Sequence, residues 1–443
     1  MAIQLDKTRE LALKILYKID KEGAYSNIAL NEGIKENKKE LNAKDIGLIS
    51  ELTYGVTTWR LTLDEIIKKY SKIKIKKISP WILNILRMGI YQIVFLEKIP
   101  KSAAVNESVN LAKRYGHKSS SNFVNAILRK VEIKDYQELF EIKNPIQRIS
   151  KTTSMPEWIV EQLLDDRKDV KEVEEICINL NERPKTIIRR NRLKSTKEEF
   201  ENLLEKQQIE YENIEVNRDF YAVEKFRNIE SLEIFKDGYF TVQDTSAGLS
   251  AYYLNPQRGD CVLDACSAPG GKTTYLAELM ENDGYIEAWD IHKQRTNLVE
   301  ENAKRLGINI IHTEQKDASV YDDTKKEKFD RILLDVPCLG IGVIKRKPDI
   351  KWKKVKDDME EIAKIQYEIL QTCSKYLKKS GILVYSTCSI FKKENEDVIK
   401  KFLENNPEFE LDNFCNNLKN SQYLDILPTK YQDGFFIARL KMK

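Results

Sequence analysis

The period of the apolar positions changes along this chain, and it divides the sequence into three regions. From residue 1 to about residue 140 apolar side chains recur at helical spacing. Leu11, Ile15, Leu16 and Ile19 share one face, as do Trp81, Ile82, Ile85, Leu86, Gly89, Ile90 and Ile93. Pro80 stands where a helix can begin. No strand-like alternation of comparable strength interrupts them, so this region reads as an all-helical bundle. Between its helices Lys68, Lys69, Lys72, Lys74, Lys76 and Lys77 form a dense basic stretch. Such a stretch is either a solvated linker or a surface that meets phosphates.

From about 141 to 240 the pattern mixes. The stretch 186–191 resembles a strand, 196–207 a helix with Phe200, Leu203 and Leu204 on one face, and 214–216 another strand. This predicts a small α+β module. Arg183, Arg189, Arg190 and Arg192 cluster at its first strand, as an RNA-backbone contact or as ordinary surface charge.

Beyond about 241 short apolar runs alternate with helical stretches. The runs are 261–263, 285–286, 308–311, 331–334 and 382–385. One intervening helix is expected over 359–378, with Ile362, Ile365, Ile369 and Leu377 apolar. Alternating strands and helices predict a mainly parallel, doubly wound α/β sheet. The last run, 434–440, is expected to add an edge-side strand.

Composition narrows the picture without deciding it. A chain of 443 residues, 41% hydrophobic, can fill two or three cores. A net charge of +4 and a pI near 8.4 permit a nucleic-acid partner but do not demand one. Seven cysteines without C-x-x-C spacing read as reduced thiols in a cytoplasmic protein. Cys177, Cys261, Cys373 and Cys415 suit small buried hydrophobes. The three histidines are scattered, so no metal site is expected. No apolar run approaches the roughly 18 residues of a membrane span, and 1–7 lacks the apolar stretch of a secretory signal.

The chemistry concentrates in the last region. Ser267-Ala268-Pro269-Gly270-Gly271 follows its first strand and precedes a helix, a place where glycines admit a ligand close to the backbone. The turn is neither G-x-G-x-x-G nor a P-loop. Asp290 ends the next strand, where an acid commonly takes ribose hydroxyls. Asp317 follows the third strand and suits an adenine amino group, and Asp335 ends the fourth. Together these point to an adenosine-type cofactor. Two cysteines follow strands nearby, in Asp335-Val336-Pro337-Cys338 and Tyr385-Ser386-Thr387-Cys388-Ser389. Cytosine carbon 5 is too weak a nucleophile to take a methyl group unaided. A thiolate that adds to carbon 6 makes carbon 5 enamine-like, and a second cysteine can assist the release that follows. Asp335 can hydrogen-bond the pyrimidine edge.

These residues closely resemble the motifs of RNA cytosine-5 methyltransferases of the NOL/NOP/Sun type. The segment Gly342-Val343-Ile344-Lys345-Arg346-Lys347-Pro348-Asp349-Ile350-Lys351-Trp352 resembles the Sun protein branch, and the helical region resembles NusB, an RNA-binding domain. The resemblance implies a NusB-like domain over 1–140, an RNA-binding module over 141–240 and a methyltransferase domain over 241–443. It implies Cys388 as nucleophile, Cys338 in product release, and S-adenosylmethionine held at Cys266, Ser267, Ala268, Pro269, Gly270, Gly271, Lys272, Asp290, Asp317 and Asp335. The implied substrate is a cytosine of small-subunit ribosomal RNA, and the chain is expected to act as a monomer. Leu339 and Ser267 depart from the family, where serine and alanine are usual. Rival readings are the same chemistry on transfer RNA, a non-catalytic RNA-binding or antitermination factor, and a nicotinamide-dependent dehydrogenase.

Overall fold

A computed structural model of the chain describes residues 5–224, 229–413 and 423–443. Cys415 and the first four residues lie outside the described residues. The chain divides into two compact units. One runs to Asn181 and also takes in Ile344–Lys354; the other comprises Glu182–Val343 and Val355–Lys443.

In the first unit, local signals set the helix ends. Asp6 caps Lys7–Glu22 by accepting from the Arg9 amide, and Gly23 closes it at a φ of 69°. Asn42 and Asp45 form a capping box at Ala43–Thr58. Ser79 caps Pro80–Phe95, whose first residue is the expected proline. The apolar faces of these helices meet in one core that includes Leu13, Leu16, Leu52, Ile85 and Leu86. Each such side chain contributes about 1.5–3 kcal/mol on burial. Gly55 lets Tyr91 approach, since a Cβ there would stand 2.1 Å from the Tyr91 ring. Helices continue past residue 140, as Pro145–Thr152, Glu157–Arg167 and Val170–Asn179, and all three lie in this unit.

The second unit holds two sheets. A four-stranded antiparallel sheet, in the order β2-β3-β1-β4, consists of β1 (Thr186–Arg190), β2 (Tyr211–Asn213), β3 (Phe220–Val223) and β4 (Phe240–Val242). The helix Lys197–Lys206, expected over 196–207, covers it through Phe200 and Leu204, and Thr196 is its N-terminal cap. The strand expected at 214–216 is instead β2, three residues earlier. Residues 214–216 belong to the reversal into β3, where the Ile214 amide donates to the Phe220 carbonyl.

The larger sheet contains β5 (Cys261–Asp264), β6 (Tyr285–Asp290), β7 (Ile311–Gln315), β8 (Phe329–Asp335), β9 (Leu377–Thr387), β10 (Phe409–Leu411), β11 (Tyr423–Ile426) and β12 (Phe435–Met442). Its order is β10-β12-β9-β8-β5-β6-β7, with β11 paired to β12. The five strands from β9 to β7 are parallel. The inner strands β5, β6 and β8 are largely buried and read as apolar runs, whereas β7 at the edge is largely exposed. Here too the structure shifts several expectations. Ile308 and Ile310 belong to the turn after Leu306, where Gly307 adopts a φ of 77°, and β7 starts only at Ile311. The helix expected over 359–378 ends at Cys373, and Leu377 opens β9. Ile365 faces solvent at 42% exposure; Ala363, Gln366, Ile369 and Leu370 form the inner face. β12 is not an edge, because β10 and β11 cover its outer side. No helix among the described residues is long and apolar enough to cross a membrane.

Candidate active site

The chain runs outward from β5 through β6 to β7, then returns to place β8 on the other side of β5. Such a switch opens a crevice at the carboxyl ends of the strands. The predicted residues gather there.

The glycine turn is held on several sides. Ser267 donates its amide and its hydroxyl to the Trp289 carbonyl at the end of β6, at 2.8 and 2.9 Å. Arg295 and Asn302 of the helix Lys293–Leu306 donate to the carbonyls of Ala268 and Pro269, at 3.1 and 3.0 Å. Gly270 has a φ of 99°, and a Cβ there would stand 3.0 Å from the Val299 backbone, so only glycine fits without strain. The next helix, Gly271–Leu279, starts immediately afterwards. Asp264 at the end of β5 is buried and accepts from the Thr273 hydroxyl at 2.7 Å. Burial pushes its carboxyl up to about 7, and the charge of Asp335 adds to that. Cys266 is half-buried and packs against the core, and burial pushes its thiol well up.

Asp290 and Asp317 stand at the ends of adjacent strands, joined by the Lys316 amide donating to the Asp290 carbonyl at 3.1 Å. Asp290 Oδ1 accepts from the His292 amide at 3.0 Å, and Arg295 lies 3.4 Å from Oδ2. Asp317 Oδ1 accepts from the amide and the hydroxyl of Ser319, at 2.9 and 2.7 Å. Its Oδ2 takes no donor among the described residues.

At β8 and β9 the two motifs meet. Lys272 donates to Asp335 Oδ2 at 2.7 Å, and the Ser386 hydroxyl donates to Oδ1 at 3.0 Å. The Lys272 ammonium is buried, but Asp335, and behind it Cys388, hold its pKa up. The Cys338 and Cys388 sulfurs are 2.9 Å apart, close enough to share a proton. The hydrogen bond to Cys388 and burial both push the Cys338 thiol well above its ordinary value. A glycine pair packs behind them. Gly342 donates its amide to the Cys388 carbonyl at 2.9 Å, and a Cβ on Gly342 would stand 2.1 Å from the Gly434 carbonyl. Leu339, where the family pattern suggests serine, is buried.

One predicted contact residue proves to have a different place. Arg189 is fully buried and cannot meet an RNA backbone. From β1 it donates to Glu278 at 2.6 Å, to Thr274 at 3.2 Å, and to the Gly271 carbonyl at 2.7 Å. The smaller sheet therefore braces the helix that follows the glycine turn. Of its neighbours, Arg190 is engaged by Asp219 at 2.7 Å, and Arg192 remains partly exposed. No local signal marks Glu278 as the partner, because 89 residues separate the two. Among the described residues no cluster of His, Cys, Asp or Glu is spaced to hold a metal.

Comparison with known proteins agrees with this architecture. The description "16S rRNA methyltransferase RsmB/F" matches residues 251–441, the NusB family matches 6–132, and a ferredoxin-like domain of the RsmF/B type matches 155–230. The chain is 38% identical to a probable ribosomal RNA small subunit methyltransferase B of Bacillus subtilis, over 98% of each. It is 34% identical to the same-named protein of Synechocystis, over 98% of this chain and 99% of that one. The solved structure of PH0851 superposes with a TM-score of 0.79 at 27% identity, covering 97% of this chain and 98% of that one. With a full-length relative at this identity and matching segments in the same order, the chain belongs to the RsmB/F family of 16S rRNA methyltransferases.

Proposed function

We propose that this protein methylates carbon 5 of a cytosine in small-subunit ribosomal RNA, through a covalent adduct with Cys388. The observation that carries the reading is the pair of thiols 2.9 Å apart at the ends of β8 and β9, beside the Lys272–Asp335 pair. Two neighbouring thiols cannot both ionise readily. The Cys338 thiol, pushed up by its bond to Cys388 and by burial, keeps its proton beside the Cys388 sulfur. Cys388 then forms its bond to carbon 6, which makes carbon 5 reactive. After carbon 5 has gained its methyl group, its proton passes to Cys338 as Cys338 gives its own proton to the departing Cys388 sulfur. The C–H electron pair restores the double bond between carbons 5 and 6, and the bond between Cys388 and carbon 6 breaks. Asp335, fixed by Lys272 and Ser386, faces the pyrimidine edge.

S-adenosylmethionine would supply the methyl group. The open Oδ2 of Asp317, the carboxylate of Asp290 and the tight turn at Gly270 suit its adenosine part. Cys266, Ser267, Ala268, Pro269, Gly270, Gly271 and Lys272 would line the methionine side, with Asp335. In this reading the protein works in the cytoplasm as a monomer and needs no metal. RNA would be engaged by the helical unit and by exposed cations such as Arg192.

A denaturing gel with labelled ribosomal RNA and S-adenosylmethionine tests the cysteine roles. Cys388→Ala should give neither product nor adduct. Cys338→Ala should still be attacked by Cys388 and stay joined to its RNA as a slow band. The reverse pattern exchanges the roles, and full turnover by both variants removes the mechanism. Bisulfite mapping of ribosomal and transfer RNA separates the two substrate classes.

A further inference from the structure

Three buried polar side chains grip the two loops that carry the thiols. Glu394 and Gln366 are 0% exposed and Asn395 is 2% exposed. Glu394 Oε2 accepts from the amide of Leu339, the residue after Cys338, at 2.9 Å. Glu394 Oε1 accepts from the hydroxyl of Ser389, the residue after Cys388. Gln366 donates from Nε2 to Glu394 Oε2 at 3.1 Å and to the carbonyl of Pro337, the residue before Cys338, at 2.9 Å. On the other loop, the Thr387 hydroxyl donates to Asn395 Oδ1 at 2.6 Å, and Asn395 Nδ2 donates to the Ser389 carbonyl at 3.0 Å. Each cysteine is thus flanked on both sides by a held residue, and one carboxylate is common to both loops.

We propose that Gln366, Glu394 and Asn395 are positioning residues that set the separation and aim of the Cys338 and Cys388 thiols. The proposal rests on the cysteine reading above. Burying a carboxylate is costly without donors. Here three donors converge on it: an amide N–H, a hydroxyl and a side-chain N–H. A carboxylate only accepts, so it can take all three; an amide in its place would turn its own N–H toward one of them. The Ser389 hydroxyl is also committed, because its oxygen accepts from the Phe391 amide at 3.4 Å while its proton goes to Glu394. Covalent attack tolerates little misplacement: a shift of about 1 Å lowers rates by roughly a hundredfold.

Glu394→Gln and Ser389→Ala in the full chain test this with two readouts. The first is turnover on RNA, with kcat and the KM for S-adenosylmethionine measured separately. The second is the rate at which diamide oxidises Cys338 and Cys388 to a mutual disulfide, quantified by peptide mass spectrometry, which reads thiol geometry without any methylation. Glu394→Gln should lower kcat by about a hundredfold and Ser389→Ala by about tenfold. The KM should be unchanged, and disulfide formation should slow in the same order. A wild-type kcat or a wild-type disulfide rate in Glu394→Gln overturns the proposal. Should that variant fail to bind cofactor, Ser389→Ala decides by the same two readouts. Failure of the cysteine reading looks different: Cys388→Ala would still turn over, while the disulfide rate would go on reporting the grip on the loops.

Discussion

In the helical unit Arg87 is 2% exposed and sits between two carboxylates, with Asp64 taking two of its N–H groups at 2.7 and 2.8 Å and Asp20 a third at 2.7 Å. In the sheet unit Asp264 is just as buried, but its side-chain partner is the neutral hydroxyl of Thr273, and its nearest charged neighbours include another acid. The first arrangement pairs charge with opposite charge where it lies. The second leaves acids and thiols perturbed at the strand ends, where ligands enter. Perturbed titratable groups collect at functional sites, and here they collect at the strand ends of the sheet unit. Lys351 qualifies the contrast. It is buried in the helical unit among the carbonyls of Thr58 and Ser154 and the amide oxygen of Asn181, and burial pulls its ammonium down to about 7. It belongs, however, to the segment Ile344–Lys354, which the chain sends into that unit from just beyond Cys338.

The largest effect expected from this contrast is on stability. Arg87→Met leaves Asp20 and Asp64 facing each other without their shared cation, and should destabilise the protein by about 3–5 kcal/mol. Urea denaturation measures it, and cofactor affinity of the folded protein should not change. A loss under about 1 kcal/mol, the range of an exposed pair, would show that the pairing is not structural. The next effect is on binding. Asp290→Ala should weaken S-adenosylmethionine by roughly ten- to a hundredfold, with the urea midpoint nearly unmoved. Unchanged affinity by calorimetry breaks the assignment of Asp290 to the ribose.

The last effect is spread along a pH slope and is small over any single pH unit. The folded carboxyl of Asp264 titrates near 7, above the unfolded value of about 3.9. Between these values the unfolded chain has lost the proton that the folded chain keeps. Stability should therefore fall as pH rises from about 4 to about 7, and this contribution should be flat above 7. The slope is at most about 1.4 kcal/mol per pH unit. Asp264→Asn should remove this part of the slope, and a difference between the two proteins that is constant from pH 5 to pH 7 would refute it.

Much of the site was legible because local chemistry dictates it. The turn from Ser267 to Gly271 has to follow a strand and open a helix, and Asp290, Asp335, Cys338 and Cys388 each sit where a buried apolar run stops. Arg189 was misread because an arginine on a short strand looks like surface charge when its partner is 89 residues away. Ile214 to Val216 has the apolar–polar–apolar alternation of a strand, but these residues form the turn that follows β2. The residues that grip the cysteine loops, Gln366, Glu394 and Asn395, carried no signal at all; on a helix and in a turn they read as ordinary solvated side chains.

The sequence by itself determined the helical character of the first region, most of the parallel strands, where the glycine turn lies, and which two thiols are candidates for chemistry. These follow from period, capping and strand-end chemistry, which act over a few residues. Only the tertiary structure decided that residues 50 apart place their sulfurs 2.9 Å from each other, that Arg189 braces the turn rather than meeting solvent, and that Ile344–Lys354 packs in the helical unit. The physical reason is that pairing among distant side chains depends on strand order and burial, and neither is encoded in the neighbourhood of any one residue.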